Sequence, residues 1–181
     1  MIGGVANMIY KEIFLTQSKV ALVDAEDCEW LNQWKWCANL QHGIFYATRH
    51  ICKNGKRKSI YMHREIIKLL DNMFIDHINR NGLDNRKSNL RICNKSQNAM
   101  NRERQINNKS GYKGVCWGKQ CKKWRAYINI NKKPTSIGLF KTKEDAALAY
   151  NETAIKYHGR FAKLNLIRKN TKNELADSNI K

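Results

Sequence analysis

The residues best suited to chemistry lie in the stretch DHINRNGLDNRKSNLRICNKSQN, residues 76–98, where an acid and a histidine precede several asparagines. A histidine with an ordinary pKa of about 6.5 can take a proton from water near neutral pH. The carboxylate of Asp76 and an amide oxygen from a following helix can hold Mg²⁺ or Mn²⁺ against a phosphate. A third polar side chain is needed to fix the histidine tautomer. Asp76 and His77 are therefore residue types that phosphodiester hydrolysis requires.

A structural interpretation of the same stretch stays open at this point. Asparagine makes up 21 of the 181 residues, so many spacings from His77 to an amide occur by chance. On spacing alone, a loop histidine that is hydrogen-bonded by its polar neighbours is the better interpretation of His77.

The net charge of +19 indicates a polyanionic partner, because excess charge destabilises a compact chain through self-repulsion. Residues 101–181 hold 19 of the 34 Lys/Arg and 6 of the 15 acids. The basic residues do not line one face of an amphipathic helix, so nucleic acid is favoured over a membrane surface. The N-terminal MIGGVANMIY lacks the features of a signal peptide, which predicts a cytoplasmic protein with reduced cysteines.

The sequence around Asp76 and His77 predicts an α+β fold made of consecutive segments. Residues 8–62 read as β-hairpins, one of them closed by the turn dipeptide Asn54-Gly55. Residues 63–106 read as strand, loop, strand and helix. The helix is expected from Lys95 to about Arg104, with Asn94 and Gln97 forming a capping box.

The last part of the chain predicts a three-stranded antiparallel sheet packed on one helix, over residues 109–166. In KKWRAYINI, Trp124 and alternate residues share one face, while Arg125, Tyr127 and Asn129 share the other. Thr142 is a suitable helix N-cap and Gly159 a suitable stop. Residues 167–181 read as a polar tail.

The run YMHREII…FIDHINRNGLDNRKSNLRICNKSQNAMNR resembles the HNH nucleases, in the variant found in phage and intron homing endonucleases. The resemblance implies a metal site built from two strands and a helix. It implies that Asp76 is a metal ligand and His77 the general base. It further implies that Asn89 positions the base and that Asn98 binds the metal, which makes the motif H-N-N. His63 in MHRE fits the family pattern with a structural or phosphate-contact role. Rival asparagines that the resemblance assigns to loop shaping are Asn79, Asn81 and Asn85.

The C-terminal run, from SGYKGVCWG to GRFAKLN, resembles the DNA-binding domain of plant ethylene-response factors. In that family the three-stranded sheet enters the major groove of DNA. The resemblance and the basic turns beside the sheet give a set of candidate DNA-binding residues: Lys113, Lys119, Lys123, Arg125, Tyr127 and Asn129. Cys116, Gly118 and Asn129 stand where the plant domains are rich in arginine, so the plant target sequence is not implied.

Together these observations predict a metal-dependent DNA endonuclease of the homing type that nicks DNA and uses Mg²⁺ or Mn²⁺. The expected partner is double-stranded DNA, with no membrane, no small-molecule substrate and a monomeric chain. The alternative is a non-catalytic DNA-binding regulator whose nuclease segment is a relic.

Overall fold

The computed structural model describes residues 10–69 and 73–167, which form an α+β protein of mixed sheet and helix. Two compact units follow one another along the chain, Met1–Asn101 and Arg102–Lys181. The start of the predicted 8–62 segment and nearly all of the predicted 167–181 tail lie outside the described residues. No helix within the described part of the chain is long and apolar enough to span a membrane.

The first unit begins with an antiparallel hairpin of β1, Tyr10–Phe14, and β2, Val20–Asp24. The acidic run that follows forms the helix α1, Ala25–Asn32, with Glu26 and Asp27 in its first turn, where the helix dipole favours negative charge. The tryptophans in and after α1 pack edge to face on one another at the hydrophobic core.

An antiparallel sheet comes next, in the order β3, Cys37–Gln41, β4, Ile44–Lys53, and β5, Lys56–Tyr61. Asn54 and Gly55 close the β4–β5 hairpin with φ of 52° and 68°. Positive φ at both central residues defines the turn that matches the twist of a two-residue hairpin. The short helix α2, Met62–Ile67, follows β5 directly.

The residues of chemical interest lie on the next three elements. Strand β6, Phe74–His77, pairs antiparallel with β7, Leu90–Cys93, and the helix α3, Lys95–Met100, packs on both strands. Asn94 and Gln97 form the predicted capping box. The expected extent of α3 to Arg104 is wrong: the helix ends at Met100, and the side chain of the next residue turns back toward β6.

The described residues from β1 to α2 share one hydrophobic core with β6 and β7, so they support the strand pair that carries Asp76 and His77. Ile13, Leu31 and Ala47 pack in the same cluster as Met62 and Leu90. The loop between β6 and β7 is also hydrogen-bonded to β2. In these bonds the Leu22 N–H donates to the Leu83 carbonyl and the Asn85 N–H to the Leu22 carbonyl, both at 2.8 Å.

A close contact at Gly82 fixes this loop against the sheet. A Cβ at Gly82 would lie 2.5 Å from the Phe45 carbonyl oxygen and 2.7 Å from the Tyr46 ring, so no larger residue fits without a shift of the backbone. The loop that follows His77 is therefore clamped between β2 and β4.

The second unit is a sheet of β8, Val115–Gly118, β9, Lys123–Ile130, and β10, Lys133–Phe140, in that order, with the helix α4, Lys143–His158, packed on it. Alternate burial along β9 confirms the predicted two faces of that strand: Ala126 and Ile128 are buried, and Arg125 and Tyr127 are exposed. Thr142 accepts a hydrogen bond from the Asp145 N–H at 3.0 Å as the N-cap of α4.

Gly114, in the YKGV stretch at the start of this sheet, has a conformation and a neighbour that favour glycine. Its φ of 72° lies in the left-handed region that glycine favours, and a Cβ there would overlap the ring of Tyr150 on α4. The glycine therefore allows the chain before β8 to approach α4 closely.

Candidate active site

Asp76 and His77 occupy the end of β6 and are both buried, with exposures of 7% and 5%. The ladder with β7 places Asp76 opposite Arg91 and His77 opposite Leu90. Side chains alternate along a strand, so the two residues point to opposite faces of the small sheet. Asp76 faces α3, while His77 faces the loop and the β3–β5 sheet.

The carboxylate of Asp76 is fully engaged by two neighbours. Arg91 donates from Nε at 2.8 Å and from a terminal nitrogen at 2.5 Å to Oδ2, which makes a buried ion pair. The Asn101 amide donates to both carboxylate oxygens at 3.0 and 3.1 Å and to the His77 carbonyl at 3.0 Å. Arg91 thus offsets the buried negative charge, and Asn101 fixes the orientation of the carboxylate.

His77 is held by Asn85, which is fully buried. The Asn85 amide nitrogen lies 3.3 Å from the Leu83 carbonyl and 3.5 Å from the Met62 sulfur, so the amide oxygen is left to accept from His77. That oxygen lies 3.2 Å from His77 Nε2, which therefore carries the proton. The other ring nitrogen, Nδ1, is the one with a free lone pair in this tautomer.

Burial lowers the pKa of His77, against a smaller raising effect from the Asn85 hydrogen bond and from Asp76 and Asp84. The ring is consequently neutral near pH 7. A neutral imidazole whose tautomer is fixed from one side is the form that a general base needs.

A cluster of rings packs around His77. The rings of Tyr46 and His63 lie 5.9 and 5.0 Å from it, and Tyr61 lies 5.5 Å from His63. Burial, together with the charges of His77 and Arg64, lowers the pKa of His63 to about 3. His63 is only 7% exposed, and its Nδ1 is buried with no hydrogen-bond partner among the described residues. A buried neutral ring supports the structural alternative for His63 over a phosphate contact.

Asn89 holds the loop and does not contact His77 directly. Its amide oxygen accepts from the Asn79 N–H at 2.9 Å, and its amide nitrogen donates to the Asp84 carbonyl at 2.7 Å and to the Asn79 side chain at 3.0 Å. The side chain in contact with His77 is that of Asn85, one of the rival asparagines named in the sequence analysis. Asn89 can affect the base at one remove, through the loop that carries Asn85.

Asn98 lies on α3 and is half-buried. Residues three apart share a helix face, so Asn98 lies on the side of α3 from which Asn101, just past the helix end, reaches Asp76. A carboxylate and an amide oxygen are hard donors that suit Mg²⁺ or Mn²⁺. Within residues 10–69 and 73–167, no group of three or more His, Cys, Asp or Glu could hold a metal. The donor set thus fits a hard cation bound through few protein atoms, with Arg91 competing for the same carboxylate.

In the second unit, most of the predicted DNA-binding residues lie on or beside β9, and Lys113 lies before β8. Arg125, Tyr127 and Asn129 stand on the exposed face of β9, with Lys123 at its start and Lys119 in the turn before it. The ammonium of Lys113 donates to the Arg102 carbonyl at 2.7 Å. The β9 residues therefore share one open sheet face, whereas Lys113 also ties the start of this unit together.

Two residues at the site, Arg91 and Asn101, were not identified from the sequence as partners of the acid–histidine pair, and Asn85 was named only as a rival candidate. Asn101 could have been found from its spacing, because it follows Asn98 by three residues. Arg91 could have been found by placing β6 and β7 in register, which sets it opposite Asp76.

Part of the chain is similar in sequence to known HNH endonucleases. A family profile described as HNH endonuclease matches residues 68–100. Protein 3.8 of Escherichia phage T7 is 32% identical over 90 residues, which cover 50% of this chain and 74% of the phage protein. An uncharacterised HNH endonuclease of Acanthamoeba polyphaga mimivirus is 32% identical over 100 residues, 55% of this chain and 51% of that protein. No solved structure matches the chain significantly.

The matched residues 68–100 include Asp76, His77, Asn89 and Asn98, together with the whole β6–β7 ladder. The chain therefore carries an HNH endonuclease domain, which makes it a nuclease.

Proposed function

We propose that the protein is a metal-dependent endonuclease that hydrolyses phosphodiester bonds in double-stranded DNA and nicks one strand at a time. The observation that carries the proposal is the neutral, buried His77, held through Nε2 by Asn85 beside the carboxylate of Asp76. A nick is favoured over a double-strand break because each chain offers one such pair.

His77 serves as the general base in this proposal. The Asn85 amide oxygen accepts a hydrogen bond from Nε2–H, which leaves the Nδ1 lone pair to take a proton from the attacking water. Because burial keeps the pKa of His77 low, the ring is ready to accept a proton throughout the neutral range.

Asp76 and Asn98 would hold the cation, Mg²⁺ or Mn²⁺. A divalent ion there would polarise the scissile phosphate and stabilise the leaving oxygen. Until a cation binds, Arg91 offsets the charge of Asp76, so metal affinity is expected to be weak without DNA. Asn101 keeps the carboxylate in place in either state.

The second unit would position the nuclease on DNA. Its exposed β9 face carries Arg125, Tyr127 and Asn129, in keeping with the resemblance to sheets that enter the major groove. Site-specific cleavage by a monomer of the homing type follows if this face reads sequence while the first unit cuts.

A plasmid assay tests the proposal. Supercoiled plasmid should be converted to the open-circular form with Mg²⁺ or Mn²⁺ and stay intact with EDTA. His77→Ala should lower the rate at least about 100-fold, as expected for a lost general base, while DNA binding persists. His42→Asn, in the exposed β3–β4 turn, is the matched histidine control and should cleave normally. Unchanged cleavage by His77→Ala would refute the assignment.

A further inference from the structure

The β4–β5 hairpin concentrates positive charge. Residues 44–61 contain five Lys/Arg and no acid. Arg49 is used internally, since it pairs with Glu65 at 2.9 Å and stacks over the Trp34 ring. The other four are exposed and have no ion pair within the described part of the chain: Lys53, Lys56, Arg57 and Lys58.

The arrangement at the tip is unfavourable for the isolated fold. Lys53 lies directly opposite Lys56 in the ladder, next to the Asn54–Gly55 turn. Like charges directly opposite one another destabilise a strand pair. Two facing lysines that lower stability and have no acidic neighbour on the hairpin indicate an anionic partner.

The outer part of the hairpin has the dimensions of a groove-binding element. The buried part of β4 ends at Thr48, and nearly every residue from His50 to Ser59 is exposed. Four residues of each strand give a free ribbon about 13 Å long, at roughly 3.3 Å per residue. A two-stranded ribbon of this kind fits the major groove of B-DNA, which is about 12 Å wide.

The base of the same hairpin borders the catalytic residues. Tyr46 on β4 lies 5.9 Å from the His77 ring, and Tyr61 on β5 lies 6.2 Å from Tyr46. Seven residues separate Tyr46 from Lys53 along the strand, which is about 23 Å. With about 3.4 Å between successive base pairs, the tip would reach DNA roughly seven base pairs from the cleaved bond.

We propose that the β4–β5 hairpin is a DNA-contacting arm that holds the duplex on one side of the cleavage site. Lys53, Lys56, Arg57 and Lys58 contact the phosphates along the groove. The inference rests on the proposed nuclease function for its substrate, and it assigns a role to a part of the first unit that carries no catalytic residue.

The first experiment measures binding in the full chain with His77→Ala, which keeps the DNA intact. Lys53→Gln/Lys56→Gln should bind a duplex more weakly, and the slope of log K against log salt should shrink by about 1.8, at about 0.9 for each lost phosphate contact. The melting temperature should stay the same or rise, because the facing charges are gone. Loss of affinity without loss of stability separates a contact role from a folding defect.

The control is Lys11→Gln/Lys35→Gln, which removes the same charge from exposed positions outside the hairpin. It should keep the parent slope. A parent-like slope in the hairpin variant, or an equal change in the control, would overturn the proposal. Parent-like DNA binding with lost binding to anionic phosphatidylserine vesicles would also overturn it and assign the hairpin to a lipid surface.

A second experiment uses duplexes shortened from one end. The affinity difference between the parent and Lys53→Gln/Lys56→Gln should disappear once the duplex extends less than about seven base pairs beyond the cleavage site on one side. A difference that persists on every short duplex contradicts the placement of the arm. With His77 intact, the variant should raise KM and leave kcat unchanged. If the parent does not cut, the nuclease proposal fails, whereas the binding measurements still decide the role of the hairpin.

Discussion

Asn85 gives the sharpest test of the site, because it contacts His77 and is fully buried. Asn85→Leu keeps the number and branching of the side-chain heavy atoms and removes the acceptor. The Leu83 carbonyl retains the Leu22 N–H at 2.8 Å, so the group left without a partner is the His77 Nε2–H. A buried donor without an acceptor costs about 1–3 kcal/mol, so we expect the free energy of unfolding to fall by about 2 kcal/mol.

The same substitution should slow cleavage through the tautomer of His77. Without the Asn85 oxygen, nothing favours the proton on Nε2, and the loss of a bond worth about 1.4 kcal/mol corresponds to about tenfold in rate. The Asn85 hydrogen bond also raises the pKa of His77, so its removal lowers that pKa. The acid limb of the pH–rate profile should therefore move to lower pH.

The assay is single-turnover nicking of supercoiled plasmid between pH 5 and 8, with urea unfolding of the same preparations. Asn81→Leu is the matched control, since Asn81 is in the same loop and accepts from the Leu83 N–H at 3.1 Å without contacting His77. Its rate should stay within about twofold. A normal rate in Asn85→Leu, or a limb that moves to higher pH, would refute the reasoning. A larger effect in Asn89→Leu would restore Asn89 as the residue that positions the base.

The metal, the C-terminal unit and the buried His63 each give a further expected outcome. Across a magnesium titration, Asp76→Ala should cleave more slowly than Asn98→Ala, because the carboxylate supplies charge as well as a ligand atom. Excess metal should restore cleavage only in Asn98→Ala. Wild-type activity in both variants would place the metal elsewhere. A chain ending at residue 108 loses 17 Lys/Arg and 5 acids. Its DNA affinity and the salt dependence of that affinity should both fall in anisotropy titrations. Unchanged values would contradict a DNA-binding role for the second unit. With the pKa of His63 held at about 3, the unfolded chain binds the extra proton below about pH 6.5, so stability falls as the pH is lowered. From pH 7.5 to 5.0 this should remove about 2 kcal/mol from the free energy of unfolding in urea, and His63→Phe should make the loss smaller by that amount. A loss in the variant as large as in the parent would be inconsistent with that pKa.

Several features of this protein follow from local sequence alone. The Asn94–Gln97 capping box, the Asn54–Gly55 turn and the alternation along β9 were all predicted and are all present. Each depends on residues within one turn or one strand, so neighbouring backbone and side-chain chemistry is sufficient to specify it. The Asp76–His77 pair could be recognised in the same way, as an acid and a base at the end of an apolar run.

The partners of that pair were decided by tertiary structure. Several asparagines follow His77 within about a dozen residues, and spacing does not say which of them reaches the ring. The choice falls on Asn85 because the loop is tied to β2 through Leu22 and is pressed on β4 at Gly82. These contacts join residues about 40 to 60 positions apart, which no local pattern encodes.

Tertiary structure also decided the partners of Asp76 and the hairpin that stands beside the site. Arg91 reaches Asp76 because the β6–β7 ladder sets them opposite one another, and Asn101 reaches it because α3 ends one residue earlier. The sequence alone determined that this chain carries the groups for phosphodiester chemistry on a basic scaffold. The tertiary structure decided which amide holds the base, which cation offsets the acid and which hairpin stands beside them, because long-range packing brings those groups into contact.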